Sequence, residues 1–287
     1  MKKLSLILAV LLLVAGCKKK NDTLVPVRIF VNDFTITQDT LPSKDDIPSY
    51  DGVKAVTLAF YKTSDGSEQY KVTQFRADPT TYTTFGDFSL ALPMGSYTMV
   101  VLGYGLNDGE PAINLTSPTT ATFGDYPARE TFATTQAVNI TNTNAVAISA
   151  TLSRVISKLR VHSTDGCTEN AVSVRTTFSA GGKAFNPTTG LATSNTGFSN
   201  VLPIQSAVGN DTYSISYLFL ATEEQTTMTI TIDVLDALEA SISHKVVENV
   251  PLQRNRMTTL TGSLYDASST TDFEINTTWL PDVDFPF

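Results

Sequence analysis

Along most of this chain apolar and polar residues alternate in short runs. The runs are separated by Gly, Pro, Asn and Asp, and that period of two admits strands and little else. Val25 to Thr37 alternates loosely through Val25, Val27, Ile29 and Val31. Val53 to Tyr61 is apolar on both sides: Val53, Ala55, Ala59 and Tyr61 share one face with Thr57, while Val56, Leu58 and Phe60 occupy the other. Both faces of that strand are therefore expected to be covered. Further strands are predicted over 69–75, 85–92, 97–104, 131–140, 145–152, 158–162, 171–178, 213–220, 228–235, 240–247 and 250–265, with a last one over 273–279. Ser64-Asp65-Gly66-Ser67 is a hairpin signal, and Pro93-Met94-Gly95 and Asn107-Asp108-Gly109 are turns. Residues 112–128 and 181–200, rich in Thr, Gly, Pro and Asn, read as long loops. Helical periodicity is confined to single turns at Leu152–Leu159 and Leu235–Ala240. Many short strands at such spacing predict an all-β chain of antiparallel β-sandwich architecture.

With 287 residues the chain is long enough for two such sandwiches. A faint internal repeat agrees. Val138 to Leu152 lies over Val250 to Leu264 without a gap, matching Val138 with Val250, Ile140 with Leu252, Ile148 with Leu260 and Leu152 with Leu264. The expected organisation is a signal segment over 1–16, a tether over 17–24, one sandwich over 25–153 and a second over 154–287.

The amino end carries an address. Met1-Lys2-Lys3 is a basic start, Leu4 to Ala15 is apolar apart from Ser5, and Val14-Ala15-Gly16-Cys17 closes the segment with small residues. The apolar run is too short to span a bilayer as a helix. This layout resembles the bacterial lipoprotein signal. The resemblance implies cleavage between Gly16 and Cys17 and a covalent lipid on Cys17, with two or more acyl chains giving stable membrane attachment. Lys18, Lys19 and Lys20 follow directly, where they can face anionic headgroups.

Charge excludes one large class of partner. The chain holds 20 basic and 28 acidic residues. Setting aside the five lysines at 2, 3, 18, 19 and 20 leaves 15 against 28, and no basic stripe interrupts the acidic balance. Nucleic acid is not an expected partner. With Cys17 assigned to lipid, Cys167 is the other of the two cysteines. No internal disulfide is expected, and Cys167 reads as structural.

The chain shows no expected catalytic, cofactor-binding or metal-binding residues. His162 and His244 lie in strands without metal-ligand spacing. Gly181-Gly182-Lys183 lacks the phosphate-loop pattern. The carboxylate pairs Asp108 with Glu110 and Asp282 with Asp284 fall in turn-like or terminal stretches, and Asn107-Asp108-Gly109-Glu110 reads as a turn rather than a Ca²⁺ loop. Tyr50, Tyr82 and Tyr126 lie near loops, where they cap strand ends or, in a second reading, form a sugar platform.

Three features together resemble the fimbrillin-type lipoproteins of Bacteroidales. They are the Cys17 signal, the tandem sandwiches, and the stretch Val250-Pro251-Leu252-Gln253-Arg254-Asn255-Arg256-Met257-Thr258-Thr259-Leu260-Thr261-Gly262. Leu152 to Leu159 and the closing Phe273-Glu274-Ile275 with Trp279 also fit. The resemblance implies two transthyretin-like sandwiches, export to the outer membrane, and assembly with other fimbrial subunits by β-strand addition. In that family shaft precursors lose the first strand to an arginine-specific protease, whereas anchors keep their lipid. Arg28 lies in the first strand here. It reads as a surface arginine, and the resemblance offers protease cleavage as a second role. A non-enzymatic anchor or accessory subunit is the leading expectation, and a surface glycan-binding lipoprotein of a polysaccharide-uptake system is the alternative. Surface lipoproteins of that phylum usually carry acidic residues just after the cysteine. Lys18 to Lys20 depart from that pattern and leave the cell surface and the periplasmic face both open.

Overall fold

The computed structural model of the protein describes residues 23–35, 52–77, 84–268 and 273–277. Among the described residues every regular element is a strand. The first half contributes β1 (Leu24–Thr35), β2 (Ala55–Lys62), β3 (Glu68–Phe75), β4 (Asp87–Pro93), β5 (Gly95–Tyr104), β6 (Asn114–Ser117), β7 (Thr120–Thr122), β8 (Thr131–Ile140) and β9 (Val146–Arg154). Seven of these form one ribbon in the order β3-β2-β5-β8-β9-β1-β4. Strands β8 and β9 pair only at Phe132 with Arg154 and Ala133 with Ser153. The ribbon folds over at that corner, so β3-β2-β5-β8 lies against β9-β1-β4. The side chains between the layers form one apolar cluster, from Val25, Ile29, Leu58, Phe60, Met99 and Leu152 among others.

A side-chain amide bridges the open side of this sandwich. Buried Gln74, on edge strand β3, donates from Nε2 to the Asp87 carbonyl at 2.8 Å. Its Oε1 accepts from the Gly86 N–H at 2.8 Å. A primary amide that both donates and accepts can bridge two strand edges that are not themselves paired.

The second half contributes β10 (Ser157–Ser163), β11 (Ser173–Phe178), β12 (Ala184–Asn186), β13 (Leu191–Ala192), β14 (Phe198–Pro203), β15 (Tyr213–Leu218), β16 (Gln225–Leu235), β17 (Ser241–Gln253), β18 (Met257–Gly262) and β19 (Glu274–Asn276). One sheet runs β14-β11-β16-β17 and the other β15-β10-β18-β19. Replacing β1 by β10, β4 by β15, β8 by β17 and β9 by β18 reproduces the strand order of the first half, with β19 added. The two repeated segments of the sequence fall on β8–β9 and β17–β18. The sheets are antiparallel except at two equivalent places, where β1 runs parallel to β9 and β10 parallel to β18.

Between the halves lies a third apolar cluster. Strand β2 is buried along nearly its whole length, and its second face meets Tyr104 and Leu102 of β5 together with Leu115, Phe123, Ile156, Phe185 and Phe219. The cover is a small sheet in the order β13-β12-β7-β6, built from one hairpin of each half. Its joint is the pairing of Ala121 with Phe185 and Thr122 with Ala184. Phe185 stacks on Phe219 at 4.1 Å between ring centroids. Tyr104 sits in the same layer, its hydroxyl 3.0 Å from Thr57 Oγ1 and accepting from the Ile113 N–H at 3.2 Å. Burial raises the Tyr104 phenol above its ordinary pKa. Burial, with the Glu68 charge second, pushes Tyr61 up to about 12.

Several expectations are corrected here. Residues 112–128 and 181–200 are not plain loops, since they hold β6, β7, β12, β13 and the start of β14. Residues 250–265 are not one strand. Strand β17 ends at Gln253, and Asn255, at φ 56°, turns the chain into β18. Asparagine tolerates that left-handed conformation better than most residues. The Asn255 N–H also donates to the Ile156 carbonyl at 2.9 Å. No helical turn forms at 152–159, where β9 and β10 are separated only by Val155 and Ile156. At 235–240 the Asp236 carboxylate accepts from the Leu238 and Ala240 N–H groups and makes an Asx turn instead.

Two charged side chains are built into the second half. Lys245 points inward from edge strand β17, is buried, and donates to the Asp266 carbonyl at 2.7 Å. An inward charge on an edge strand discourages further strand addition. Asp165, after β10, accepts hydrogen bonds from Ser263 Oγ and from the N–H groups of Leu264, Tyr265 and Asp266, at 2.7–2.9 Å. Partial burial works against its charged form, but the four donors outweigh it and hold the carboxyl below its ordinary pKa.

Replacing Phe185 with Ala removes a fully buried ring from the third cluster, and we expect a loss of about 3–5 kcal/mol in urea unfolding. Asp165→Asn tests the turn lock through pH. A depressed carboxyl contributes stability that is fully present above its unfolded pKa of about 3.9 and is lost as pH falls through the lower folded value. The gap in stability between wild type and Asp165→Asn should therefore be constant near neutral pH and shrink in acid below about pH 4. A gap that does not change with pH would assign the effect to shape rather than charge.

Candidate functional site

Strand β1 shares with β10 a place between one antiparallel and one parallel neighbour, and differs from it in being the first of the described strands. It enters from the amino end of the chain and lies between two neighbours. It pairs antiparallel with β4, from Leu24 opposite Pro93 to Phe30 opposite Asp87, and parallel with β9, from Val27 opposite Val146 to Thr35 opposite Ser153. Val25, Val27, Ile29 and Val31 all point into the sandwich and are buried. At roughly 2 kcal/mol for each buried side chain of this size, the strand supplies a large part of the first core. It therefore fills a slot: two strand edges with an apolar floor, occupied by a single twelve-residue segment.

Arg28 lies on the outward side of that segment. Its Nε and Nη2 donate to the two Asp87 carboxylate oxygens at 3.1 and 2.5 Å. Its guanidinium also sits 4.4 Å from the centre of the Phe30 ring. The bidentate pair ties β1 to β4. Its peptide bond lies inside a strand that is paired on both sides, so a protease needing an extended, unpaired segment reaches it only when β1 has left the slot.

The other residues singled out in the sequence fall in six groups. Gly16, Cys17, Tyr50, Tyr82, Trp279, Asp282 and Asp284 lie outside the described residues. Glu110 is a structural carboxylate. Burial opposes its charge, but hydrogen bonds from Arg129 and from the Asn107 N–H keep it below the usual carboxylate range. Asp108 stands in the adjacent turn, and the described residues contain no cluster of three or more potential metal ligands. His162 stacks on Tyr213 at 4.3 Å, and His244 Nδ1 lies 2.7 Å from Asp233 Oδ1 on the outer face of a sheet. Cys167 is a buried free thiol. Tyr126 is exposed on its loop. Gly181 serves packing: a Cβ there would come within 2.6 Å of the Phe219 carbonyl oxygen. Lys183 reaches across to the Asp125 carbonyl.

The motif from Val250 to Gly262 belongs to the junction. Arg254 donates to the Thr189 carbonyl at 2.8 Å, and Asn255 Oδ1 accepts from Arg154 at 3.2 Å. An open groove of about 580 Å³ beside it is lined by Thr222, Gln225, Thr226, Thr258 and Thr277 with Glu223. The lining holds no nucleophile–base pair.

The class these features define is a tandem all-β sandwich with a first strand set into a two-sided slot. Residues 49–284 match the family of unknown function DUF6562, and the chain belongs to that family. No curated protein matches the sequence. Among solved structures, the fold is similar to that of a provisionally assigned adhesin from Bacteroides ovatus. The TM-score is 0.53 and the identity 12%, over 89% of this chain and 94% of that one. A second provisionally assigned adhesin, from Bacteroides ovatus ATCC 8483, gives 0.50 at 13% identity over 82% and 87%. The fimbrial anchor protein Mfa2 of Porphyromonas gingivalis gives 0.49 at 13% identity over 89% and 98%.

Ile29→Ala and Arg28→Ala separate the two faces of the slot. We expect Ile29→Ala to cost about 2–5 kcal/mol in chemical unfolding, as for other buried aliphatic truncations. Arg28→Ala, on the exposed side, should leave the unfolding midpoint close to wild type.

Proposed function

We propose that this protein is a non-enzymatic structural subunit of the cell envelope. In this reading it is a fimbrial anchor or accessory subunit, tethered to the outer membrane through lipid on Cys17 and joined to other subunits by β-strand addition. The observation that carries the reading is the slot of β1. A strand that enters from the chain's end, pairs on both sides and buries four apolar side chains can be replaced by an equivalent strand from another subunit. Main-chain hydrogen bonds would supply affinity, and the alternating pockets selectivity. The adhesin descriptions of two proteins sharing this fold point the same way. The alternative, a surface glycan-binding lipoprotein, would rest on loop aromatics such as the exposed Tyr126. Retention of β1 marks an anchor, whereas cleavage after Arg28 marks a shaft subunit. The acidic surface of the folded part is consistent with protein rather than nucleic-acid partners.

The test is an unboiled detergent gel of outer-membrane extract, probed for this chain, with mass spectrometry of each band. We expect a ladder of detergent-resistant species containing other β-sandwich lipoproteins, and an amino terminus at Cys17. Cys17→Ser should shift the chain out of the membrane fraction. A single monomer band would sink the assembly reading.

A further inference from the structure

Strand β10 leaves the junction at Ser157 and reaches the opposite end of the second sandwich at Ser163. Three of the connections at that end are residues 164–172 between β10 and β11, 204–212 between β14 and β15, and 236–240 between β16 and β17. Turn positions favour Gly, Asn, Asp and Ser. Here each connection instead holds out an aliphatic side chain, with Val172 47%, Val208 59% and Leu238 89% exposed. Single apolar residues scattered over a surface are ordinary. These three are neighbours. The Val172 N–H donates to the Leu235 carbonyl at 2.8 Å, and the Ile204 N–H donates to the Val172 carbonyl at 2.9 Å. Leu238, three residues past Leu235, lies within about 11 Å of it, and Val208, four past Ile204, within about 14 Å of that residue.

The tips are also fixed. The Asp236 carboxylate accepts from the Leu238 and Ala240 N–H groups at 2.8 and 2.9 Å, and the Asp236 N–H donates to the Ala240 carbonyl at 3.0 Å. Val208 lies in a turn closed by the Asn210 N–H on the Ala207 carbonyl at 3.1 Å. That turn is bound twice to the first connection: the Gly209 N–H donates to the Cys167 carbonyl at 2.8 Å, and the Cys167 N–H donates to the Asn210 carbonyl at 2.9 Å. Gly166 leaves no space between them, since a Cβ there would come within 2.6 Å of the Gly209 carbonyl oxygen. Loops braced in this way hold their apolar side chains out in a preformed arrangement. A partner that covers them loses little entropy in ordering them.

Charge selects the partner. The three connections contain Asp165, Glu169, Asp211, Asp236 and Glu239, and no lysine, arginine or histidine. Asp165 and Asp236 are taken up by the turns, whereas Glu169, Asp211 and Glu239 are exposed. His162, at the end of β10, lies 3.7 Å from Asp211, and Lys245 is buried against the Asp266 carbonyl. Carboxylates around apolar tips repel nucleic acid and anionic lipid. They also repel a second copy, which brings the same tips and a net charge of −8. A polypeptide with basic and aliphatic side chains matches both the charge and the apolar surface. We propose that this end of the second sandwich is a docking surface for a basic, aliphatic segment of a partner protein. Leu238, Val208 and Val172 form its apolar centre, and Glu169, Asp211 and Glu239 its rim. The surface lies apart from the β1 slot and works without strand addition, so it stands or falls separately from the fimbrial reading.

The probe is a soluble, fluorescently labelled peptide of lysine, leucine and serine, titrated with the protein and followed by anisotropy. We expect saturable binding that weakens as salt is raised. Val208→Ser with Leu238→Ser should weaken it by about ten-fold or more, since two apolar contacts are lost. Glu169→Gln with Glu239→Gln should weaken it several-fold and flatten its salt dependence. All four side chains are exposed, so the urea midpoint of each variant should match wild type. Leu238→Ser alone is the companion should the double variant unfold, and it should show a several-fold loss. Val246→Ser, which removes an exposed aliphatic side chain from β17, should bind as wild type does. Four results would each overturn the proposal. The first is wild-type protein that shows no saturable binding. The second is equal binding of a peptide with every leucine replaced by serine, which would leave only attraction between a polycation and an acidic protein. The third is affinity unchanged by Leu238→Ser. The fourth is self-association of the protein that the same variants abolish, which would assign the surface to a second copy.

Discussion

Apart from Lys62 at the end of β2, strands β2 and β5 carry uncharged side chains on both faces, so a two-layer sandwich alone would leave one of those faces in water. Fully burying an aromatic or aliphatic side chain is worth roughly 1.5–3 kcal/mol, and Tyr61, Leu102 and Tyr104 all lie on the second face. The chain covers that face with a sheet to which each half contributes one hairpin. Much follows from this arrangement. The two β7–β12 base pairings join segments more than sixty residues apart in sequence, and Phe185 and Phe219 of the second half are packed into the roof of the first. The short link at Val155 and Ile156 is buried in the same layer, which fixes where the second sandwich starts.

Equivalent strand order in the two halves has not produced equivalent closure. The first sandwich is clasped by Gln74 across β3 and the start of β4. On β14 the corresponding place, opposite Val174, is taken by Leu202, while buried Asn200 two residues earlier has no partner for its Nδ2 among the described residues. The second sandwich is held instead beyond the end of β10, where Asp165 gathers the chain after β18 and Lys245 bonds to the same turn. One architecture thus uses two different polar locks, each placed where its own loops leave backbone groups to satisfy.

Long strands with clean alternation, such as β1, β2, β11 and β16, could be read directly from the sequence, because burial on one face writes itself into every second residue. The covered double face of β2 was equally plain. The small joining sheet was not. Its strands are two to four residues long and lie in Thr- and Gly-rich stretches, and their pairing is set by partners far away in sequence. The break between β17 and β18 left a clue in Asn255, but the apolar pattern on either side ran straight through it. Parallel pairing of β1 with β9 has no local signature at all. As for the slot, its apolar side chains were visible as an alternating strand, but its two neighbours, β4 and β9, come from about sixty and one hundred and twenty residues away.

That parallel pairing also gives the molecule a direction. Because β1 and β9 run the same way, the amino end of β1 lies at one end of the first sandwich and the exit of β9 into the second sandwich lies at the other. Leu24 and Met94, both exposed, mark the entry end, together with the β4–β5 turn. A twelve-residue strand at about 3.3 Å per residue separates the two ends by close to 40 Å. A chain held by its amino terminus would present the first sandwich nearest the point of attachment. The second sandwich would stand off beyond it as a mast, clear of any carbohydrate layer thinner than that separation.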